Sequence, residues 1–486
     1  MKIQTIKTLG DLKKAGYATK PIATELADNL KEKLKKGENT FEGIHGYEDT
    51  VIPNFERAIL SGHHINLLGL RGQAKTRMAR LLINLLDEYI PIVEGSEMND
   101  DPFQPISFYA RELVKEKGDD TPITWLHRDE RFFEKLATPD VSVADLIGDV
   151  DPIKASNLKL SYSDERVIHF GMIPRANRSI FVINELPDLQ ARIQVALFTI
   201  LQEKEVQIRG FKLRMPLDIQ FIFTANPEDY TNRGSIVTPL KDRIGSQILT
   251  HYPKELELAK KITAQEARIT KNQESIYIPE IIRDIIEMIG FEARDNAYVD
   301  AKSGVSARMS ISAFENLLST AERRMLINGE ENTSIRLMDL LGIIPAINGK
   351  VELIYEGEQE GAEEVARHLI KEAIGSLFNE YFPKIEKLEK PNAKTPYDTV
   401  LEWFYEDNQL ILSENQNNKD YEKSLDIPVL DDLVKKYVKN IDKKDLNIFK
   451  EFLLWGLEFN KKLNFEKAKD GYQFKDTMAD YLKGFK

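Results

Sequence analysis

The chain has 486 residues, 42% of them hydrophobic and 30% charged, with a formal net charge of −12. That length suits about two to four domains with cores of their own, and the acidic balance argues against a general nucleic-acid binder, whose phosphate contacts need clustered Lys and Arg. Cysteine is absent, which excludes disulfides and thiolate metal sites; no apolar run approaches the roughly 18 residues of a membrane helix, and the polar start is unlike a signal peptide, so a cytoplasmic location is expected.

In chain order, residues 21–36 carry a helical pattern (Ile22, Leu26, Leu30, Leu34), and a second pattern runs from Ile52 to Leu60. Between them, Phe41 to Tyr47 reads either as a turn or as a segment lying beside a nucleotide base. The stretch Ile65 to Arg77, INLLGLRGQAKTR, then passes from an apolar run into a glycine-bearing turn. It follows the phosphate-loop pattern of Gly, four residues, Gly, Lys, then Ser or Thr. Gly69 opens it, Lys75 and Thr76 close it, and Ala74 stands where the second glycine belongs. Such a loop turns successive backbone N–H groups inward at the positive end of a helix. Gly69 and Gly72 are expected to supply the turns, and Ala74 to lie where the backbone already enters the helix, so that its β-carbon meets no forbidden φ. Lys75 is placed to reach the β and γ phosphates of ATP and the Thr76 hydroxyl to ligate Mg²⁺; Gln73 and Arg77 belong to the same cradle. The plain alternative is a glycine-containing turn between a strand and a helix. From Thr76 to Tyr89, the residues Met78, Leu81, Leu82, Leu85 and Leu86 continue the helical period.

A long polar stretch, Gly95 to Lys117, is followed by a strand candidate at Pro122–His127 and a helix beginning near Asp140. Leu158–Tyr162 and Arg166–Phe170 alternate about a Ser-Asp-Glu turn, as a hairpin or an irregular excursion would. Ser179–Ile183 is uninterrupted hydrophobe, as in a parallel strand covered on both faces, and ends in Asn184-Glu185. A helix is expected over about Pro187–Glu203, a hairpin over Glu205–Met215 and a second buried strand over Ile219–Thr224, ending in Ala225-Asn226-Pro227. Alternating strands and helices with polar groups at the strand ends predict a three-layer α/β core around a parallel sheet. Beyond Lys254 the strands are expected to stop. Helical patterns at 255–268, 279–293, 306–328 and 334–345 suggest an all-helical lid, and residues 346–486 a helical extension with loops at 387–397 and 413–424. The expected organisation is 1–40, an N-terminal helical segment; 41–253, the nucleotide-binding core; 254–345, the lid; and 346–486, the extension.

ATP hydrolysis needs a carboxylate to orient or deprotonate water, a polar group near the γ phosphate and cations for the transition state. Glu185, Asn226, Arg243 and Arg308 are candidates, although each taken singly reads as a helix cap or a surface ion-pair residue. With the loop, and with Asp145-Leu146-Ile147-Gly148-Asp149-Val150-Asp151-Pro152, Gly171-Met172-Ile173-Pro174-Arg175-Ala176-Asn177, Phe223-Thr224-Ala225-Asn226-Pro227 and Leu240-Lys241-Asp242-Arg243, the chain from about Phe41 to Gly329 resembles AAA+ ATPases of the magnesium chelatase ATPase-subunit and MoxR type. The resemblance implies an AAA+ P-loop core with a helical lid, Lys75 and Thr76 as Walker A, Glu185 as the Walker B glutamate, Asn226 as sensor 1 and Arg308 as sensor 2. It implies that Arg243 is a finger reaching the neighbouring subunit's site in a ring, commonly a hexamer, with residues 154–176 a helix-2 insertion and 205–215 a pre-sensor hairpin. Asn184 departs from the pattern, which has Asp there as a partner of Mg²⁺. Losing a unit charge about 5 Å from the ion forfeits at most roughly 3 kcal/mol at an effective dielectric of 20; weaker metal binding and slow hydrolysis are the expected consequences.

The leading functional expectation is an ATPase that remodels a client through nucleotide-driven motion, with a partner containing a von Willebrand A-type domain. The alternatives are the ATPase subunit of a chelatase inserting magnesium into a porphyrin, and a nucleotide-gated scaffold with little turnover. A DNA-remodelling ATPase would need a basic channel or an added DNA-binding domain, and the sequence offers neither.

Overall fold

Alternate residues of the buried strands go to opposite faces of one sheet, which is what a period of two requires. Ile180, Val182 and Ile222 join one apolar core with Leu26, Phe55 and Met78, whereas Phe181, Ile183, Phe221 and Phe223 join another with Ile193, Leu197 and Leu240. The computed structural model describes residues 5–208, 211, 214–227, 235–385, 395–406, 408–469 and 471–476, in two compact units, Met1–His251 and Tyr252–Lys486.

The first unit is built on a five-stranded sheet of β1 (Ile65–Leu68), β2 (Phe132–Leu136), β3 (Ser179–Asn184), β4 (Ile219–Ala225) and β5 (Ser246–Leu249). Their order is β5-β1-β4-β3-β2 and every pairing is parallel, so all the strand C-termini lie along one edge. Helices α1 (Ile22–Lys36), α2 (Val51–Leu60) and α3 (Lys75–Leu81) belong to the first core; α4 (Ala191–Glu203) and α5 (Thr238–Arg243) belong to the second. The predicted three-layer α/β arrangement with a parallel sheet is the fold of this unit.

Several local expectations change. The helix after the glycine-bearing loop is shorter than its apolar period, ending at Leu81 and continuing as a 3₁₀ turn, Leu82–Leu85. The polar stretch Gly95–Lys117 contains a helix, Phe108–Lys117, capped by the Ser107 hydroxyl. Pro122–His127 was expected to be a strand, and Ile123–His127 is one, paired antiparallel with Tyr89–Val93 outside the main sheet. The excursion around 158–170 is not a hairpin of its two alternating runs: Gly148–Val150 pairs with Ile168–Phe170 around a short helix, Pro152–Leu158. The expected hairpin at 205–215 is present as Glu205–Gln207 paired with Arg214–Pro216, its residues 209, 210, 212 and 213 lying outside the described ones.

Strand β2 has no counterpart among the sequence expectations. It is an edge strand whose residues are half-buried or exposed, so its sequence, FFEKL, shows neither an apolar run nor strict alternation. Burial at its root holds it instead. Arg131, immediately before the strand, makes two 2.7 Å bonds to the Glu25 carboxylate of α1 and donates from Nε to the Arg178 carbonyl at 2.9 Å.

The second unit is mainly helical, as expected, around α6 (Glu280–Asp295), α7 (Arg308–Ile327), α8 (Ala362–Tyr381) and α9 (Leu446–Phe459). Strands nevertheless recur beyond Lys254: Ile276–Tyr277 pairs with Thr333–Ser334, and Leu410–Leu412, Gly471–Asp476 and Leu463–Ala468 form an antiparallel sheet. The loop expected at 413–424 includes a helix, Asn418–Ser424, and most of 387–397 lies outside the described residues. One apolar core runs from Ile276 to Phe474, so the segments 254–345 and 346–486 share it. Helices α8 and α9 approach closely because Gly456 leaves room for the Phe378 ring and Gly375 for the Phe459 ring. No helix among the described residues is long and apolar enough to cross a membrane.

Candidate functional site

Strand β1 ends at Leu68 and delivers the loop Gly69–Ala74 to the C-terminal edge of the sheet, directly ahead of α3. The two glycines act differently. Gly72 takes φ +73°, the left-handed conformation that glycine adopts freely. Gly69 is needed for space: a β-carbon there would overlap Thr250 Oγ1 and Gln73 Oε1. Thr250 donates to Gln73 Oε1 at 2.6 Å, and the single Tyr47 O–H is shared between the carbonyls of Gln73 and His251, 3.0 and 2.8 Å away. Tyr47 thus anchors the outer limb of the loop, while Phe41, at the start of the same segment, is fully buried against Phe55.

The expectation for Ala74 is corrected. Its φ is +56° and ψ +15°, in the left-handed region, where an L-residue's β-carbon crowds the backbone at about 1–2 kcal/mol. The backbone has not yet entered the helix at this position. Residue 74 still has to complete the turn that points the next N–H groups inward, which is why glycine suits it.

Lys75 opens α3 and is 7% exposed. Its ammonium donates to the Gly69 carbonyl, to the Leu70 carbonyl at 2.8 Å and to Asn226 Oδ1 at 2.8 Å. The Asn226 amide nitrogen donates in turn to Glu185 Oε2 at 3.0 Å. One asparagine at the end of β4 therefore joins the lysine cation to the carboxylate beyond β3. Glu185 sits at φ +55°, which turns the chain sharply off the strand and sets its side chain along the sheet edge; its backbone N–H donates to Thr224 Oγ1 at 3.2 Å.

Thr76 Oγ1 donates to Asn184 Oδ1 at 3.2 Å, and Thr224 Oγ1 donates to the same oxygen at 3.1 Å. The Asn184 amide nitrogen donates to Glu134 Oε1 at 2.6 Å, and the second Glu134 oxygen faces Arg80, 2.9 Å from Nε. Thr224 and Glu134 are the members of this cluster that sequence reasoning missed. Thr224 could have been found as the residue two before Asn226 on a buried strand; Glu134 could not, because its strand carries no pattern.

Lys75, Thr76, Asn184, Glu185 and Asn226 are thus brought together, with Gly69, Gly72, Gln73 and Ala74 forming the turn and Arg77 in the first turn of α3. Arg243 is elsewhere. It ends α5 just before β5, whose first residue, Ser246, is level with Ile65 at the start of β1, and it lines a recess with His64, Ile219 and Gly245 at the strand N-termini. There it bonds to Gln202 and Asp242 and lies over the Phe198 ring, 5.5 Å from the centroid. Arg308 begins α7 in the second unit, its N–H donating to Ser306 Oγ at 3.1 Å.

The adjacent histidines before β1 are structural. His63 Nδ1 is 2.9 Å from Ser246 Oγ, and His64 Nδ1 accepts the Phe221 N–H at 3.2 Å; burial, helped by Lys204 and His63, pushes His64 down to about 4. The acidic group Glu257, Glu280 and Asp284 already surrounds a cation, since the Lys260 ammonium lies 2.5 to 2.8 Å from a carboxylate oxygen of each.

The fold and this cluster define an α/β unit with a glycine-bearing loop at the C-terminal edge of a parallel sheet, carrying two amides and a carboxylate at adjoining strand ends and a lysine at the start of the helix after the loop. Residues 124–244 match the family described as AAA domain (dynein-related subfamily). Among solved structures, the chain is similar to the magnesium chelatase complex of subunits BchI and BchD, with 20% identity over 66% of this chain and 98% of that one and a TM-score of 0.33. It is similar to NtrX of Brucella abortus, with 14% identity over 60% of this chain and 56% of that one and a TM-score of 0.34. A RuvB variant of Thermotoga maritima gives 11% identity over 94% and 95% with a TM-score of 0.32.

Proposed function

We propose that the chain is a ring-forming ATP hydrolase whose site is completed by a neighbouring copy. The observation that carries this reading is the division of the expected machinery between the two edges of one sheet. Lys75, Thr76, Asn184, Glu185 and Asn226 converge at the strand C-termini, while Arg243 stands at the N-terminal edge, where a second subunit could use it. The matched AAA segment supports the same reading.

In this reading the loop N–H groups and Lys75 bind the phosphates, the ammonium exchanging its carbonyl and amide acceptors for phosphate oxygens. Glu185 orients the attacking water and accepts its proton, and Asn226, bonded to both Glu185 and Lys75, holds the carboxylate in line with the cation. The donors facing Thr76 are a hydroxyl and an amide oxygen, an all-oxygen set that fits Mg²⁺; Thr76 Oγ1 would hold the ion and Asn184 Oδ1 a water bound to it. Mg²⁺ when bound supplies charge neutralisation on the phosphates. Tyr47 and the segment 41–47 would lie on the base side of the loop, Arg308 would be the lid's cation and Arg243 the neighbour's. By the resemblance the ring has six subunits and acts with a protein partner bearing a von Willebrand A-type domain, the insertion and the hairpin carrying motion to it.

Mixed assembly tests the reading. Arg243→Ala and Glu185→Gln subunits, each inactive alone, should recover part of the phosphate release when assembled together, because some interfaces then join an intact glutamate to an intact arginine. Loss of a finger alone should lower turnover by about 10³-fold or more. Absence of recovery in demonstrably mixed rings would remove catalysis across the interface.

A further inference from the structure

We infer that Glu134 is a positioning residue for Asn184, and that the two form a matched pair standing in for the single aspartate expected at that strand end. The inference rests on the nucleotide-binding reading above.

An asparagine side chain has an acceptor end and a donor end, and hydroxyl partners such as Thr76 and Thr224 can serve either one. A carboxylate accepts only. Glu134 Oε1, 2.6 Å from the Asn184 amide nitrogen, therefore decides the orientation: it takes the NH₂ group and turns Oδ1 toward Thr76 and Thr224. The metal side of the site then meets an acceptor oxygen, as it would with Asp. Glu134 lies on β2 level with Val182, and Asn184 is level with Leu136, so the two side chains are diagonal neighbours on adjoining strands. The pair is braced from outside, by Arg80 on the second Glu134 oxygen and by the Arg131–Glu25 clamp at the root of β2.

The departure at residue 184 then follows from its neighbour. Aspartate there would set two carboxylates in contact, replacing a hydrogen bond by repulsion. Restoring the common residue should harm this site unless Glu134 changes with it.

The experiment titrates Mg²⁺ in the presence of a fluorescent ATP analogue and reads nucleotide binding by the full-length chain, independently of hydrolysis. Glu134→Leu, which leaves the amide without its acceptor, should raise the Mg²⁺ concentration for half-maximal binding about tenfold or more, the usual effect of losing a group that orients a metal ligand. Glu134→Gln, whose carbonyl still accepts from Asn184, should stay within about threefold of wild type. Asn184→Asp alone should weaken the Mg²⁺ response about tenfold, and Asn184→Asp with Glu134→Gln should return to within about threefold, since the glutamine NH₂ then donates to the new carboxylate. The inference is overturned if Asn184→Asp alone tightens Mg²⁺ as much as the double variant, or if Glu134→Leu leaves the Mg²⁺ response in place. Should Glu134→Leu fail to fold, the two isosteric Asn184→Asp variants decide the matter between them. Wild-type chain that binds no nucleotide at any Mg²⁺ concentration would bring down the functional reading as well.

Discussion

The two units bury polar groups for different ends. In the second unit Arg324 and Asp339, each 1% exposed at the side chain, form a bidentate pair at 3.2 and 2.8 Å, and Arg324 also donates to Thr333 Oγ1 and the Ser334 carbonyl at 2.8 Å. Arg336 lies over the Tyr421 ring, 4.0 Å from its centroid, and donates to the Gln416 carbonyl and Asn418 Oδ1. Glu451 accepts from the Leu337 N–H and the Tyr421 hydroxyl. This network ties α7 and the turn after it to residues 416–421 and to α9, closing the groups on one another. At the sheet edge of the first unit the polar groups instead sit where strands end and a loop begins, held in orientation by hydrogen bonds between the ends of neighbouring strands and the loop. Buried polarity by itself does not mark a site; its place at strand C-termini does.

The contrast predicts opposite phenotypes. The largest effect should come from Lys75→Ala, which removes the ammonium placed to meet the phosphates: binding of a fluorescent ATP analogue should fall at least about 100-fold, with urea unfolding little changed. Unaltered affinity would sink the phosphate-loop reading. Arg324→Leu should do the reverse, leaving Asp339 buried without its cation and lowering stability by about 3–5 kcal/mol, read as an earlier urea midpoint, while nucleotide affinity per folded molecule is kept. A stable Arg324→Leu variant would show that the Arg324–Asp339 pair is not structural.

A smaller effect comes from Glu451, fully enclosed and pushed up to about 7 by burial, against 4.5 in the unfolded chain; one of its oxygens has no hydrogen-bond partner among the described residues. The folded state then binds more protons than the unfolded one between about pH 4.5 and 7, so this group makes stability fall as pH rises through that window and level off above it. Glu451→Gln should flatten that part of the profile and at pH 8 should recover of the order of 2–3 kcal/mol, seen by comparing urea midpoints at pH 5 and 8. A wild-type profile that is flat over this range, or unchanged by the substitution, would contradict the assignment. Smallest of all, Ala74→Gly should stabilise the first unit by about 0.5–1 kcal/mol, relief of the left-handed β-carbon exceeding the added freedom of the unfolded chain. A lower melting temperature in this variant would argue against the φ assigned to residue 74.

Much of the candidate site is legible in the sequence. The loop was legible as a turn between strand and helix because its glycines fall at short spacing after an apolar run, and the positions of Asn184, Glu185 and Asn226 because the apolar runs before them, Ser179–Ile183 and Ile219–Thr224, are covered on both faces and stop abruptly. Ala74 was placed correctly in the loop but misjudged in conformation: a single alanine does not announce a positive φ when the turn around it imposes one. The strands at 410–412, 463–468 and 471–476 were missed because their short, partly exposed runs carry weaker patterns than the helices beside them.

The sequence by itself determined the parallel α/β core, its mainly helical sequel, and the placing of a glycine-bearing loop and of polar residues at the strand ends, since all of these depend on local periodicity and short-range spacing. Only the tertiary structure decided that Glu134 meets Asn184 and that Arg243 stands at the far edge from its own loop. It alone decided, too, that residues 346–486 share a core with the helices before them. The reason is the same in each case: these contacts join residues 41 or more positions apart, or divide them between the edges of one sheet, and no local propensity encodes which strand will lie beside which.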